Sequence, residues 1–511
     1  MRISGCLSGL RLCLVSLLVM AAPVLAEPVS TDLTPAQLQE FDRYVESSRQ
    51  AWKVPGMAVA LIQDGKVIFS KGYGVREVGK PDPVTDDTIF QIGSISKSFT
   101  STLVGLEVDR GKLDWKDKVV DHYPEFRTYD PWVTREFTIE DTMAQRSGQS
   151  TMTTDLLAFM GKDRDDILGA MRHVRPVSSF RSEFAYVNNM WLTTAKVLEE
   201  AVGKSWEQQI ADDIFTPLGM TSSSSDLKGL FDAPNHASPH HWDGRSTVLV
   251  PREWPYQQWC YTYGPAGGIN SNVHDMARYL SMHMGRTPLL SPASRNKLHS
   301  AHTFIGGQRV AQPQSFIDVG AASYCQGWLR QERYPLPLVW HNGGTTGFRT
   351  VAGFVPGEDL GIVVLSNTAD SNLSEALMMR YYDMALGQPQ VDYSALWLAS
   401  FQKAQAESAV PKRPASPRPP QKLALYAGSY SNPIYGTAEV KVVGSKLHCS
   451  VGPLLTFELQ PWDGDTFNFA DPISPANADD FATFVAQPDG SMETVRISLF
   501  SDSTDFQRVA P

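Results

Sequence analysis

Apolar residues recur at helical spacing between Thr34 and Trp52, where Leu38, Phe41, Tyr44 and Val45 share one face, with Thr34 as N-cap and Pro35 in the first turn. The pattern then shortens. Met57 to Ile62 and Val67 to Ser70 are apolar runs separated by Asp64-Gly65, which predicts a β-hairpin. From Ile95 onward Phe99, Leu103 and Leu106 lie on one helical face that Gly111 can close. Trp191, Ala195, Leu198 and Val202 form another such face, ending at Gly203. A further helix is predicted from Met276 to Met284, opened by His274 and Asp275, with the carboxylate placed favourably against the helix dipole.

Towards the C-terminus the character changes. Ala404 to Lys422 carries Pro411, Pro414, Pro417, Pro419 and Pro420 among Lys, Arg and Ser, a stiff solvated linker rather than an element. Beyond it Val440, Val442, Leu447, Leu455, Phe457, Phe467, Phe469, Phe484, Ile497 and Phe500 sit in short runs broken at Gly444-Ser445, Asp463-Gly464 and Pro488-Asp489-Gly490. Such turn-separated strands predict a small antiparallel sheet or barrel.

Composition narrows the class. With 511 residues, a net charge of −10 and 20% charged side chains, the chain has no overall attraction for nucleic acid and is neither a disordered polyelectrolyte nor a membrane channel. Arg2 and Arg11 precede an apolar run from Leu12 to Leu25 that ends in Val24-Leu25-Ala26, the pattern of a secretory signal peptide over residues 1–26. The run is shorter than the roughly 20 residues that span a bilayer. A Sec-type route to the periplasm or the exterior is therefore expected, without integral membrane association. The remaining cysteines, Cys260, Cys325 and Cys449, allow at most one disulfide with a thiol left over.

Three segments carry candidate chemistry. Ser94 stands at a helix N-terminus, and Lys97 returns to the same face one turn later, where its amine can reach the hydroxyl. A serine needs a base to become a nucleophile, and a desolvated lysine can serve. Ser-x-x-Lys also occurs at Ser225, Ser294 and Ser400, so the pattern alone does not select Ser94. Tyr186-Val187-Asn188 supplies a phenol that can shuttle a proton and an amide that can hold a substrate carbonyl. Its second copy, Tyr430-Ser431-Asn432, falls in the β-rich tail and reads as structural. Trp340-His341-Asn342-Gly343-Gly344 follows an apolar run, and paired glycines at a strand end permit close backbone approach of a ligand.

In this order the segments resemble the serine β-lactamase and penicillin-binding-protein superfamily, whose signatures are Ser-x-x-Lys, Tyr-x-Asn and Lys-Thr-Gly or His-x-Gly. The wide spacing is similar to the class C, D-aminopeptidase and family VIII esterase branch. Pro55-Gly56-Met57, Gly72-Tyr73-Gly74, Pro217-Leu218-Gly219-Met220 and Ala266-Gly267-Gly268 look like landmarks of the same family. The resemblance spans about residues 35 to 390.

The resemblance implies an α+β fold, an antiparallel sheet flanked by helices with a mostly helical subdomain. It implies an acyl-enzyme in which Ser94 attacks, Lys97 and Tyr186 transfer protons, and the backbone N–H groups of Ser94 and Gly344 form the oxyanion hole. Asn188, His341, Gly343 and Arg349 would bind substrate, with no metal and no cofactor. His341 stands where many relatives have lysine, and histidine near pH 7 is mostly neutral, which argues against efficient β-lactam or C-terminal D-Ala carboxylate recognition. Arg349 has two readings, a cation that compensates or a solvated surface arginine. Ala144-Gln145-Arg146-Ser147-Gly148 departs from the relatives' His-Thr-Ser-Gly and reads as structural. His236, His240 and His241 cluster but sit among loop residues and lack a His-Glu-x-x-His, so no metal site is expected there.

The expected organisation is a signal over 1–26, a hydrolase domain over 27–402, a proline-rich linker over 403–422 and a lipocalin-like β-domain over 423–511. The expected activity is amide hydrolysis of small peptides, D-residue peptides included. The alternatives are a carboxylesterase, a β-lactamase or D-Ala-D-Ala carboxypeptidase, and a catalytically silent peptidoglycan-binding or receptor module.

Overall fold

A computed structural model describes residues 33–305, 322–332, 336–407, 411–473, 479–500 and 504–509. The expected signal segment lies outside the described residues, among which no helix is long and apolar enough to cross a membrane. The first helix, Pro35–Ala51, starts as expected on Thr34, whose hydroxyl accepts from the Gln37 N–H while the Gln37 side chain accepts from the Thr34 N–H. Gly56–Gln63 and Lys66–Gly74 form the predicted hairpin, with Asp64 and Gly65 both at positive φ, as a two-residue primed turn requires.

These strands open an antiparallel sheet of eight, in the spatial order Lys66–Gly74, Gly56–Gln63, Leu360–Ser366, Phe348–Val355, Pro337–Thr345, Leu329–Glu332, Ala322–Tyr324 and Thr303–Ile305. Every residue of Gly56–Gln63 and of Leu360–Ser366 is buried, which explains why their apolar runs do not alternate: both sheet faces are covered. Side chains of Phe348–Val355 show the division. Gly353 faces Met378 of the helix Leu373–Ala385, whereas Phe354 packs on His283 at the end of the helix Val273–His283. That helix begins three residues before the predicted Met276, because Asn272 rather than His274 caps it, accepting from the Asp275 N–H. Asp275 does lie in its first turn.

The segment read as a loop around the clustered histidines contains a short strand, His240–Trp242. His240 is buried there, with Nδ1 against the Asn367 carbonyl and Nε2 accepting from the Val78 N–H. The three cysteines are all buried free thiols, Cys449 inside the C-terminal unit, and no disulfide joins them.

The last long helix runs over Tyr393–Glu407, into the start of the expected linker. The proline-rich stretch after it is tied to the C-terminal unit through Arg418, which pairs with Asp463 at 2.8 Å. That unit is a closed antiparallel barrel of eight strands, each neighbour following the last in chain order. Its interior is filled by aromatic rings, including Phe457 stacked on Phe469 at 4.0 Å and Tyr426 against Phe484 at 4.8 Å. The second Tyr-x-Asn copy lies on its first strand, Gly428–Asn432, as a structural element. The turn at Gly452, Pro453 and Leu454 rests against Met160 and Gly161 of the hydrolase unit, and the Tyr256 hydroxyl donates to the Leu454 carbonyl.

Candidate active site

Ser94 lies in a single 3-10 turn, Gly93–Ile95, that feeds directly into the helix Ser96–Asp109. Gly93 has φ +55, and a Cβ there would come within 2.7 Å of the Gly344 nitrogen. Only glycine suits both the left-handed backbone and the close approach. On the facing strand, a Cβ on Gly343 would sit 1.9 Å from the Ile92 carbonyl oxygen. The two glycine contacts seat the part of Pro337–Thr345 beyond Trp340, where Leu329–Glu332 no longer pairs with it, against the Ser94 turn, with the exposed Gly344 at its rim.

One turn along the helix, Lys97 is completely buried. Its Nζ lies 3.1 Å from Ser94 Oγ and donates to the Ala266 carbonyl at 2.9 Å. Burial disfavours the ammonium and pushes its pKa down to about 7, although the Asp155 carboxylate pulls the other way. The other Ser-x-x-Lys copies show what an incidental match looks like: Lys228, Lys297 and Lys403 reach out to Asp232, Glu140 and Glu407.

Tyr186 completes the group. Lys97 Nζ lies 4.7 Å from its ring centroid, and its hydroxyl is hydrogen-bonded to Ser94; burial raises the phenol pKa, which the Ser94 bond opposes. The loop read as merely structural positions this tyrosine. Gln145, at φ 54, accepts the Ala185 N–H on its carbonyl and the Val187 N–H on its side chain at 2.7 Å. Arg146 and Arg181 clamp the base of the loop to the buried Asp141.

Asn188 also faces the group, but its amide nitrogen is engaged by Asp155 at 2.7 Å, while its side-chain oxygen is buried without a hydrogen bond. That leaves the oxygen, rather than the nitrogen, as the atom to meet a ligand. His341 is buried, with Nδ1 on the Asn342 carbonyl and Nε2 at 3.2 Å from the Tyr324 hydroxyl. Burial, then the nearby Lys97, depress its pKa to about 3, so the ring is neutral at physiological pH.

Arg349 fits neither sequence reading fully. It pairs with Gly344 across the ladder, on the sheet face opposite His341, and its guanidinium is 2.6 Å from the buried Glu375. Asp155, Tyr324 and Glu375 were not visible as site residues in the chain, since no local spacing links them to Ser94. Ala266 stood in a recognised landmark, although its carbonyl contact with Lys97 was not foreseeable from it.

The Beta-lactamase family model matches residues 41–385, which contain every one of these groups. The chain belongs to the β-lactamase-fold serine hydrolase family. A second family, described as Domain of unknown function (DUF3471), matches residues 412–510, the barrel and its proline-rich approach. Among curated proteins, an unguisins hydrolase of Aspergillus campestris is 28% identical over 78% of this chain and 76% of its own length. Protein flp of Staphylococcus aureus is 25% identical over 66% of this chain and 64% of its own length. Among solved structures, the octameric penicillin-binding protein homologue from Pyrococcus abyssi covers 90% of this chain and 98% of its own, at 22% identity and a TM-score of 0.60. SurE with D-Leu covers 93% and 100%, at 18% identity and a TM-score of 0.54. These two show a shared fold over at least nine-tenths of the chain.

Proposed function

We propose that this β-lactamase-family protein cleaves amide bonds of small peptides, D-residue peptides included, through an acyl-enzyme on Ser94. The observation that carries the reading is the buried Lys97, its pKa brought down to about 7 so that the free amine is available near neutrality, within hydrogen-bond reach of Ser94 Oγ. Lys97 takes the hydroxyl proton as Ser94 attacks the carbonyl. The N–H groups of Ser94 and Gly344 stabilise the oxyanion, and the Asn188 oxygen accepts a substrate N–H. Tyr186, bonded to Ser94, relays the proton to the leaving nitrogen. Amine leaving groups need that proton more than alkoxides do, which favours amides. The similarity to an unguisins hydrolase supports hydrolysis as the reaction class. A neutral His341 speaks against β-lactam and D-Ala-D-Ala carboxylate recognition, and the intact Ser94, Lys97 and Tyr186 against a silent receptor. The signal-like N-terminus supports action in the periplasm or outside the cell.

A fluorophosphonate should add once to the folded protein and not to Ser94→Ala, as read by intact mass; an unlabelled wild type would end the acyl-enzyme reading. The peptide preference is tested separately by kcat/KM on D- and L-aminoacyl amides against short acyl esters. Turnover of esters alone would make the protein a carboxylesterase.

A further inference from the structure

Glu375 is completely buried in the first turn of the helix Leu373–Ala385, a costly place for a carboxylate unless cations or donors surround it. One of its oxygens gathers three donors: the Asn342 amide at 2.9 Å, Arg349 Nε at 2.8 Å and the Arg349 terminal nitrogen at 2.6 Å. Both donor residues belong to the strands that frame the rim of the site, and Asn342 sits between His341 and the two glycines. The guanidinium crosses Gly344, coming within 3.6 Å of where a Cβ would stand, and its charge is felt at Tyr186 and His341. Arg349 is thus the permanent cation at the rim, where an unpaired guanidinium would attract a substrate carboxylate. Here a carboxylate from the protein itself is already bound to it, on the side away from the cleft.

We propose that Glu375 is a specificity-determining residue: by neutralising Arg349 it tunes the cleft for acyl donors whose leaving group carries no carboxylate, such as internal or capped amides and neutral esters. This rests on the acyl-enzyme reading but not on the preference for peptides. Removing the acid while keeping the shape would release the cation to recruit an anionic leaving group.

The test uses two aryl esters of one N-acylglycine whose leaving groups differ only in a meta carboxamide or a meta carboxylate, assayed on the full-length protein. Wild type should favour the carboxamide ester in kcat/KM by about tenfold or more, since a carboxylate that gives up water at the rim finds the Arg349 charge already matched by Glu375. Glu375→Gln should move that ratio about tenfold towards the carboxylate ester, through KM more than kcat. The double variant Arg349→Gln with Glu375→Gln should move it back. Equal or better wild-type turnover of the carboxylate ester overturns the proposal, and this arm decides even if Glu375→Gln does not fold. An unchanged ratio in folded Glu375→Gln overturns it as well. Inertness towards both esters removes the acyl-enzyme reading and this proposal together, whereas turnover without preference removes only this one.

Discussion

Around Ser94 the interior holds ionisable groups, with Lys97, His341 and Glu375 almost wholly withdrawn from water. In the barrel, the enclosed side chains are mostly apolar, Phe457, Phe467, Phe469 and Phe484 among them, and the buried Tyr430 hydroxyl is satisfied by the Tyr426 carbonyl at 2.8 Å. Both units are densely packed, so packing does not distinguish them. What differs is the use of burial: in the barrel it removes apolar area from water, worth about 1.5–3 kcal/mol for a large side chain. In the hydrolase unit it also brings an amine near neutrality beside a hydroxyl, whereas in the barrel it pushes the Cys449 thiol further from ionising. Burying an ionisable group costs stability, and next to Ser94 that cost yields an amine that can be neutral near pH 7.

The comparison can be broken most sharply at the nucleophile. Ser94→Ala and Lys97→Ala should each lower kcat by roughly a thousandfold or more while the protein stays folded. Near-normal turnover in the lysine variant would remove it as the base. Gly343→Ala forces a Cβ onto the Ile92 carbonyl and shifts Gly344, for an expected kcat loss of about a hundredfold and a destabilisation of about 1–3 kcal/mol, read from kinetics and thermal melting.

Next comes the pH profile. Since the neutral amine is the working form, kcat/KM should climb about tenfold per pH unit below a midpoint near 7 and level off above it. The same depression has a stability consequence. Between about 7 and the ordinary lysine value of 10.5 the unfolded chain holds the proton that the folded one lacks, so Lys97 makes stability rise with pH across that window. Lys97→Met should flatten the rise, as urea titrations at pH 7 and 10 would register.

The smallest effect on activity is expected in the barrel. Phe484→Ala should cost the barrel about 3–5 kcal/mol by opening a cavity, yet leave kcat on a small ester within about threefold. A collapse of kcat in a variant that still melts cooperatively would show that the two units are not separable in the way their interiors suggest.

Much of the frame was legible because it follows from local rules. The Thr34 cap, the Asp64-Gly65 hairpin and the glycine stop at Gly203 depend on neighbouring residues, and each formed where the pattern put it. The start of the helix Val273–His283 was misplaced because Asn272, a better cap than His274, preceded the apolar pattern. The strand at His240–Trp242 was hidden because it is short and follows Pro239; its hairpin with Thr247–Leu249 is local, but His240 is held there by Val78 and Asn367, far along the chain. At the site, the three motifs named their residues, but not Asp155, Gln145, Tyr324 or Glu375, which reach it from loops, strands and a helix distant in the chain.

The sequence by itself determined the order of the chemistry-bearing segments, the helical and strand periods around them, and the glycines without which two backbones could not meet. It left open how readily Lys97, once the order of the motifs had picked it out, gives up its proton, and whether Arg349 was a free cation. Both depend on the tertiary structure, because proton affinity and effective charge are set by solvent access and by partners far along the chain. Lys97 became distinct through its burial and the Ala266 carbonyl, and Arg349 through Glu375.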